Sequence, residues 1–332
     1  MKPSHKKTTF GWGELSEDGS ELWDDRPVFT GDSVEAKDWM KLMFYPKKFL
    51  LYRWVKKAVA EAKKQHHYTG PVRVLDVGCG TGASVIDLKK LFGRGIEVIG
   101  VDVVELQIDI ARNRLKEYGV WSEIHWYDGE HLPFSEDSID VVYSSDVLGH
   151  VKDVSRWLRE LYRVLKPDGS LVMFSESKVG KHAFVRNYLL KHEVNTDPHA
   201  QFHISLYSKK ELQTLIVRAG FTIKKMMSAS WARIFTNPEE FHEALLKQKK
   251  FPLLRFVTGA LTKVKKKTHP YSTAAGELYS LIEMMTLGRF VESQGYVVLA
   301  KKNTEAAIDE EERTKRAYSS LAVDYSPNMR SE

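Results

Sequence analysis

The stretch Val72-Arg73-Val74-Leu75-Asp76-Val77-Gly78-Cys79-Gly80-Thr81-Gly82 constrains this chain more than any other. Its apolar, β-branched residues predict a buried strand over 72–77. Glycines at 78, 80 and 82 predict a tight turn, and the apolar spacing over 83–91 predicts a helix. Strand, glycine turn and helix together bring unpaired backbone N–H groups close to a ligand at the helix start. Such a unit is stable only inside a larger sheet covered by helices, so the rest of the chain should alternate.

It does. Apolar runs at 96–101, 122–126, 139–144 and 170–175 predict further strands, and helical spacing over 104–117 and 154–165 separates them. Lys166-Pro167-Asp168-Gly169 reads as a turn. The strands are nearly continuous in apolar residues, as in a parallel, doubly wound sheet with right-handed crossovers. Residues 177–206 lack a clean period and hold His182, His192, His199 and His203. A helix over 208–219, ended by Gly220, and a strand over 221–227 follow, and a last strand over 295–301.

Two parts lie outside this core. Residues 1–70 read as an extended polar arm, anchored by Phe10, Trp12 and Trp23, then helices over 35–41 and 46–64. The bland reading of the lysines on the second helix is a solvated face. Residues 231–291 carry three helical patterns (238–247, 253–264 and 275–287) between the last two strands. The expected division is an arm and helical cap over 1–70, a core over 71–230 and 292–302, a lid or substrate region over 231–291 and a polar tail over 303–332.

Composition removes several classes. A single cysteine, Cys79, excludes a disulfide framework and a multi-cysteine zinc site, and fits a reducing compartment. No metal site is expected. A net charge of +6 over 332 residues is too mild to argue for nucleic acid. No apolar run reaches membrane-spanning length, and the basic start Met1-Lys2-Pro3-Ser4-His5-Lys6-Lys7 has no apolar segment behind it. The expected location is cytoplasmic.

Gly78-x-Gly80-x-x-Ala83 formally matches a dinucleotide fingerprint. Asp76 before it, Gly82 within it and Asp128 in Tyr127-Asp128-Gly129 pull away from that reading. Asp102, about twenty residues on, suits a ribose in either case. The ensemble resembles the class I S-adenosylmethionine-dependent methyltransferases, and most of all their small-molecule, methyltransferase type 11-like branch. The resemblance runs through Val74–Gly82, Gly100-Val101-Asp102, Asp128-Gly129-Glu130-His131-Leu132-Pro133-Phe134, Asp140-Val141-Val142-Tyr143-Ser144 and the stretch Glu160 to Leu171.

The resemblance implies a Rossmann-like seven-stranded sheet of order 3-2-1-4-5-7-6, with strand 7 antiparallel. It also implies S-adenosyl-L-methionine as cofactor, held by Asp76, Gly78, Cys79, Gly80 and Gly82 at its methionine part. Asp102 would hold the ribose and Asp128 the adenine amino group, and Val103, Gly129 and Glu130 would line the adenine pocket, with His131 at the rim. Ser144, Ser145 and Asp146 would lie near the transferred methyl. The implied reaction is in-line methyl transfer to O, N or C of a small-molecule or lipid-like acceptor.

Catalytic candidates are His150, Asp146 and His203, with Glu176 and His182 behind them. Each has a bland reading: His150 as a structural or substrate-lining residue, Asp146 as a helix cap, Glu176 as a solvated strand end, His182, His192, His199 and His203 as surface residues and Cys79 as a small filler. Tyr143-Ser144-Ser145-Asp146 stands where amino-methylating enzymes carry a Pro-Pro-Tyr stretch, which argues against a nucleobase acceptor. Competing classes are a silent scaffold that keeps the cofactor fold, a nicotinamide oxidoreductase, and a methylating enzyme with a peptide or protein acceptor. The N-terminal unit and the insertion should both sit near the acceptor mouth. The stripe Leu253, Leu254, Phe256, Val257, Ala260, Leu261 and Val264, followed by Lys263, Lys265, Lys266 and Lys267, predicts a lid helix packed on the domain. It also matches an interfacial membrane helix or a dimer contact.

Overall fold

A computed structural model describes residues 26–31, 33–65, 70–197, 200, 202–228 and 232–303. The expected arm with Phe10, Trp12 and Trp23, His199 and the polar tail beyond 303 lie outside the described residues. Two helices open the described chain, α1 (Ala36–Leu42) and α2 (Pro46–Gln65). The core then runs β1 (Val72–Val77), α3 (Ala83–Phe92), β2 (Ile96–Asp102), α4 (Glu105–Glu117), β3 (Glu123–Trp126), β4 (Ile139–Ser145), α5 (Val154–Val164) and β5 (Leu165–Ser175). After it come α6 (Phe184–Lys191), α7 (Lys209–Arg218) and β6 (Phe221–Ser228). Four helices, α8 (Arg233–Thr236), α9 (Pro238–Leu246), α10 (Pro252–Thr268) and α11 (Tyr271–Thr286), precede β7 (Tyr296–Lys302).

The seven strands form one sheet of order β3-β2-β1-β4-β5-β7-β6, and β7 runs antiparallel to both its neighbours. The order reverses between β1 and β4, so their carboxyl ends open a crevice at that point. Apolar residues cover both faces. Val74, Val98, Tyr143 and Val172 pack beneath α2 and α3, while Leu75, Ile99, Val142 and Leu171 pack beneath α5 and α7.

Helix α2 is the N-terminal unit's anchor. Its Leu51, Tyr52 and Val55 are buried, whereas Lys56, Lys57, Lys63 and Lys64 face solvent as expected. Lys47 and Lys48 depart from that expectation, because the first turn of α2 points them into the crevice. Buried Asp87 of α3 fixes this unit to the core: its carboxylate accepts the Phe29 N–H at 2.9 Å and the Tyr52 hydroxyl at 2.8 Å. Strand β6 pairs with β7 up to Ser228 opposite Tyr296, so α8–α11 leave and rejoin the sheet at one place.

Helix α10 is oriented against the sequence expectation. Its buried residues are Thr258, Gly259 and Thr262, and its apolar stripe faces outward, with Leu253 75 % and Phe256 74 % exposed. The inward threonines bury without loss because their hydroxyls donate back to Leu254 O (2.9 Å) and Thr258 O (2.8 Å). Gly259 admits the His242 ring, since a side chain there would meet it at 2.8 Å.

Candidate active site

The turn after β1 is built by hydrogen bonds that only a glycine-rich segment can make. Gly78 and Cys79 both donate to Val101 O, at 2.8 and 3.0 Å, which folds the turn over the end of β2. Gly78 sits at φ 77° and its Cα faces Val147, leaving no room for a Cβ. Gly80 donates its N–H to Asp102 Oδ2 at 2.8 Å, and Asp102 Oδ1 accepts from Val104 at 2.9 Å. One carboxylate thus ties the turn after β1 to the start of α4.

This turn forms one wall of a cavity of about 1130 Å³. Of the expected cofactor residues, Asp76, Gly78, Cys79, Gly80, Asp102, Val103 and Ser145 line it. Asp76 is buried; Ser84 donates its hydroxyl to Asp76 Oδ2, and Asp76 Oδ1 has no hydrogen-bond partner. Burial is the main cause that pushes this carboxyl up to about 7; the Ser84 bond opposes it, and the Asp102 charge adds to it. A buried carboxylate oxygen left unpaired beside a backbone turn is suited to an ammonium group. Burial also raises Asp102, against its three backbone hydrogen bonds.

Five expected residues do not reach the cavity wall. Gly82 turns its Cα toward Ala111 and Leu115, so its glycine serves the packing of α3 on α4. Ser144 is buried and donates to Val77 O at 2.9 Å. Asp128 Oδ1 accepts from Glu130 N (2.8 Å) and His131 N (2.7 Å), and Glu130 pairs with Arg156 at 2.7 Å. The loop holding Asp128, Gly129 and Glu130 is therefore closed on itself and on α5. His131 joins it by hydrogen-bonding Arg156 Nη2 at 2.8 Å. The wall beyond Asp102 is made instead by Val104, Gln107 and Tyr127, whose buried hydroxyl has no partner. Sequence reading missed these three, although Val104 and Gln107 directly follow Asp102.

The other end of the cavity gathers titratable groups. Asp146 follows β4 at φ 61°, in the left-handed region, and its carboxylate accepts from Lys47 and Ser145. It does not cap the next helix; Asp153 caps α5. The Lys47 ammonium also lies 4.5 Å from the Phe174 ring centroid, and it holds Asp146 below the usual carboxylate range against the cost of burial. Glu176 is not a solvated strand end. Its Oε2 is buried without a partner, and burial, reinforced by the Asp146 charge, pushes the carboxyl up to about 8.

The histidines divide. His150 lies buried on the turn after β4, with Nδ1 3.1 Å from Phe202 O. His203 is turned inward, and its Nδ1 pairs with Asp197 Oδ2 at 3.0 Å, the main cause raising its pKa. The two rings are 5.1 Å apart. His182 accepts from Glu292 N at 2.9 Å and His192 lies at the surface on Tyr188 O, so neither joins the cluster. Cys79 is buried, and burial raises its thiol, which leaves it the filler role. The outer wall comes from the N-terminal unit (Tyr45, Lys47) and from the helices between β6 and β7 (Arg233, Glu277).

A family model described as a methyltransferase domain matches residues 75–173. Demethylmenaquinone methyltransferase of Lactobacillus johnsonii is 37% identical over 106 residues, covering 31% of this chain and 43% of that protein. The ubiquinone/menaquinone biosynthesis C-methyltransferase UbiE of Vibrio vulnificus is 34% identical over 108 residues, 32% of this chain and 42% of the relative. This chain thus spans less than half the length of those two relatives. Demethylmenaquinone methyltransferase of Tropheryma whipplei is 31% identical over 191 residues, covering 53% of this chain and 75% of that protein. A solved SAM-dependent methyltransferase from Aquifex aeolicus overlays at a TM-score of 0.40 with 20% identity, over 52% of this chain and 82% of that one, a likeness too loose to carry an argument. Sheet order, turn geometry and the extent of the Tropheryma whipplei match place the chain in the class I S-adenosylmethionine-dependent methyltransferase family, in its type 11 branch.

Proposed function

We propose that this chain transfers a methyl group from S-adenosyl-L-methionine to a small, lipid-like acceptor. The observation that carries the reading is Asp76 Oδ1, a buried carboxylate oxygen without a partner in the same cavity as Asp102. In this reading Asp76 receives the cofactor's ammonium and Asp102 its ribose hydroxyls. Val103, Val104 and Tyr127 line the side of the purine. The bound cofactor supplies a sulfonium-activated methyl group. Ser145, Asp146, His150, Glu176 and His203 face the acceptor, and Asp146, His150 or His203 receives its proton. The names of the relatives, which refer to demethylmenaquinone and ubiquinone/menaquinone, support an acceptor of lipid-like character.

Calorimetry with S-adenosylhomocysteine tests the cofactor assignment, with a sign set by Asp76. The carboxyl is pushed up to about 7 in the free protein, and only its ionised form pairs with an ammonium. Affinity should therefore rise with pH up to about 7, by as much as tenfold per pH unit, and level off above it. Tight NADH binding with none to S-adenosylhomocysteine would sink the reading. Labelled methyl transfer into separated lipid and aqueous cell extracts tests the acceptor class. Cofactor binding without any labelled product would leave the scaffold.

The outward stripe of α10, a helix that does not itself line the cavity, supports contact with a lipid surface. Leu253, Phe256, Val257 and Val264 are exposed on α10, and Lys263, Lys266 and Lys267 are exposed at its end. Among the described residues, no helix is long and apolar enough to cross a membrane. An apolar stripe edged by lysines suits an anionic bilayer on which the helix lies flat. Sedimentation with phosphatidylglycerol vesicles should pull the protein down, phosphatidylcholine vesicles much less. Phe256→Glu should abolish the difference. Equal behaviour of that variant, or a dimer in lipid-free solution that it dissociates, would reject the lipid assignment.

A further inference from the structure

His150, Glu176 and His203 come from three separate places: the turn after β4, the end of β5 and the segment before α7. Yet a potential ligand atom of each lies within 4.8 Å of those of the other two. Two imidazoles and one carboxylate are the donor set of open, three-ligand zinc sites and related transition-metal centres.

The surroundings are those that such a set requires. Asp197 pairs with His203 Nδ1 at 3.0 Å and directs Nε2 as the remaining ligand atom. Phe202 O stands 3.1 Å from His150 Nδ1. Glu176 Oε2 is buried with no protein partner, which is costly unless something else satisfies it. Gly149 makes the approach possible. A Cβ there would fall 3.0 Å from Glu176 Oε2 and 3.2 Å from His203 Cδ2. Gly149 O also accepts from Ile204 (2.9 Å) and Ser205 (3.0 Å), and Ser205 donates its hydroxyl to Val151 O at 2.5 Å. These bonds pin the segment bearing His203 against the turn bearing His150.

We propose that His150, Glu176 and His203 bind one divalent transition-metal ion, of the zinc class. Typical Zn–N and Zn–O bonds of about 2.0–2.2 Å require the donors to close by roughly an ångström. Glu176 binds as the carboxylate and the histidines as neutral imidazoles, so any proton these three groups carry leaves to solvent on binding. The ion then sits beside Asp146, where it holds an acceptor oxygen and leaves Asp146 to take its proton. That last role rests on the methyl-transfer reading; binding of the ion does not.

The test uses the full chain, stripped with chelator and titrated with Co²⁺ without cofactor or acceptor. One Co²⁺ per chain should bind with a visible ligand-field absorption, and Zn²⁺ should displace it. Glu176→Gln and His203→Asn should lose that absorption, and His192→Asn, at a surface site, should keep it. Asp197→Asn leaves the three ligands in place and should weaken binding by about 10- to 100-fold, through the loosened His203. That variant decides the matter if the ligand variants fail to fold. No cobalt band, or a band unchanged in Glu176→Gln, His203→Asn and Asp197→Asn, overturns the proposal. S-adenosylhomocysteine calorimetry on the same samples separates the two readings: cobalt without cofactor binding counts against methyl transfer alone, and the reverse against the metal alone.

Discussion

Asp102→Ala will weaken S-adenosylhomocysteine binding by about 1.5–3 kcal/mol, roughly ten- to 150-fold, read by calorimetry at fixed pH. The direct part is the loss of a charged acceptor for the ribose hydroxyls. A second part comes from the protein itself. Both Asp102 oxygens accept backbone N–H groups, from Gly80 at 2.8 Å and from Val104 at 2.9 Å. Alanine orphans both donors at the edge of the cavity and frees the glycine turn from α4. Asp102→Asn keeps one acceptor oxygen and should lose less. Asp128→Ala is the informative contrast, because Asp128 serves its own loop and does not line the cavity. An affinity unchanged by Asp102→Ala would show that the ribose is held elsewhere.

Gly78→Ala will cost more in stability than any other single-methyl change at the site. The added Cβ would lie 2.2 Å from Val147 Cγ2, and φ 77° disfavours any residue with a Cβ. Left-handed backbone and overpacking each cost about 1–3 kcal/mol. The sum of about 2–6 kcal/mol corresponds to a melting temperature lower by roughly 4–24 °C, with cofactor binding lost. Val147→Ala in the same chain removes the clash and leaves the backbone strain, so it should restore only part of the melting temperature. Full stability in the single variant would mean that the turn and the β4 end are not in contact.

The core was legible because each of its signals is local. Buried parallel strands are continuous apolar runs, and the turn after β1 carries its own glycines, so β1, β2 and β4 emerge within a residue or two of their expected ends. Asp76 and Asp102 were legible because they stand at the carboxyl ends of β1 and β2, neighbouring strands on one side of the reversal of the sheet. The acceptor side was not, since nothing local brings Lys47, Glu176 and His203 together. Glu176 looked like a strand end with solvent beyond it; the segment containing His203 folds back over it and removes the solvent. Helix α6 escaped notice because Arg186 is buried on its inner face, held by Thr196 and Glu240, where an apolar residue was expected. On α10 the period was right and the facing wrong. Amphipathicity tells which residues share a face, and burial against α9 went to the threonines and Gly259 because they satisfy themselves and pack closely.

The pairing of Ser228 with Tyr296 has a consequence for how such a chain can change. The segment between them begins and ends at one rung of the ladder, far from the glycine turn in the sheet order. Its two ends stay fixed whatever lies between, and doubling the length of a flexible connection costs only about 0.6 kcal/mol in closure entropy. That edge of the sheet is a socket. A graft of different helices there would present a new acceptor chamber to an unaltered donor half, so divergence in what is methylated can proceed while the methyl source stays constant.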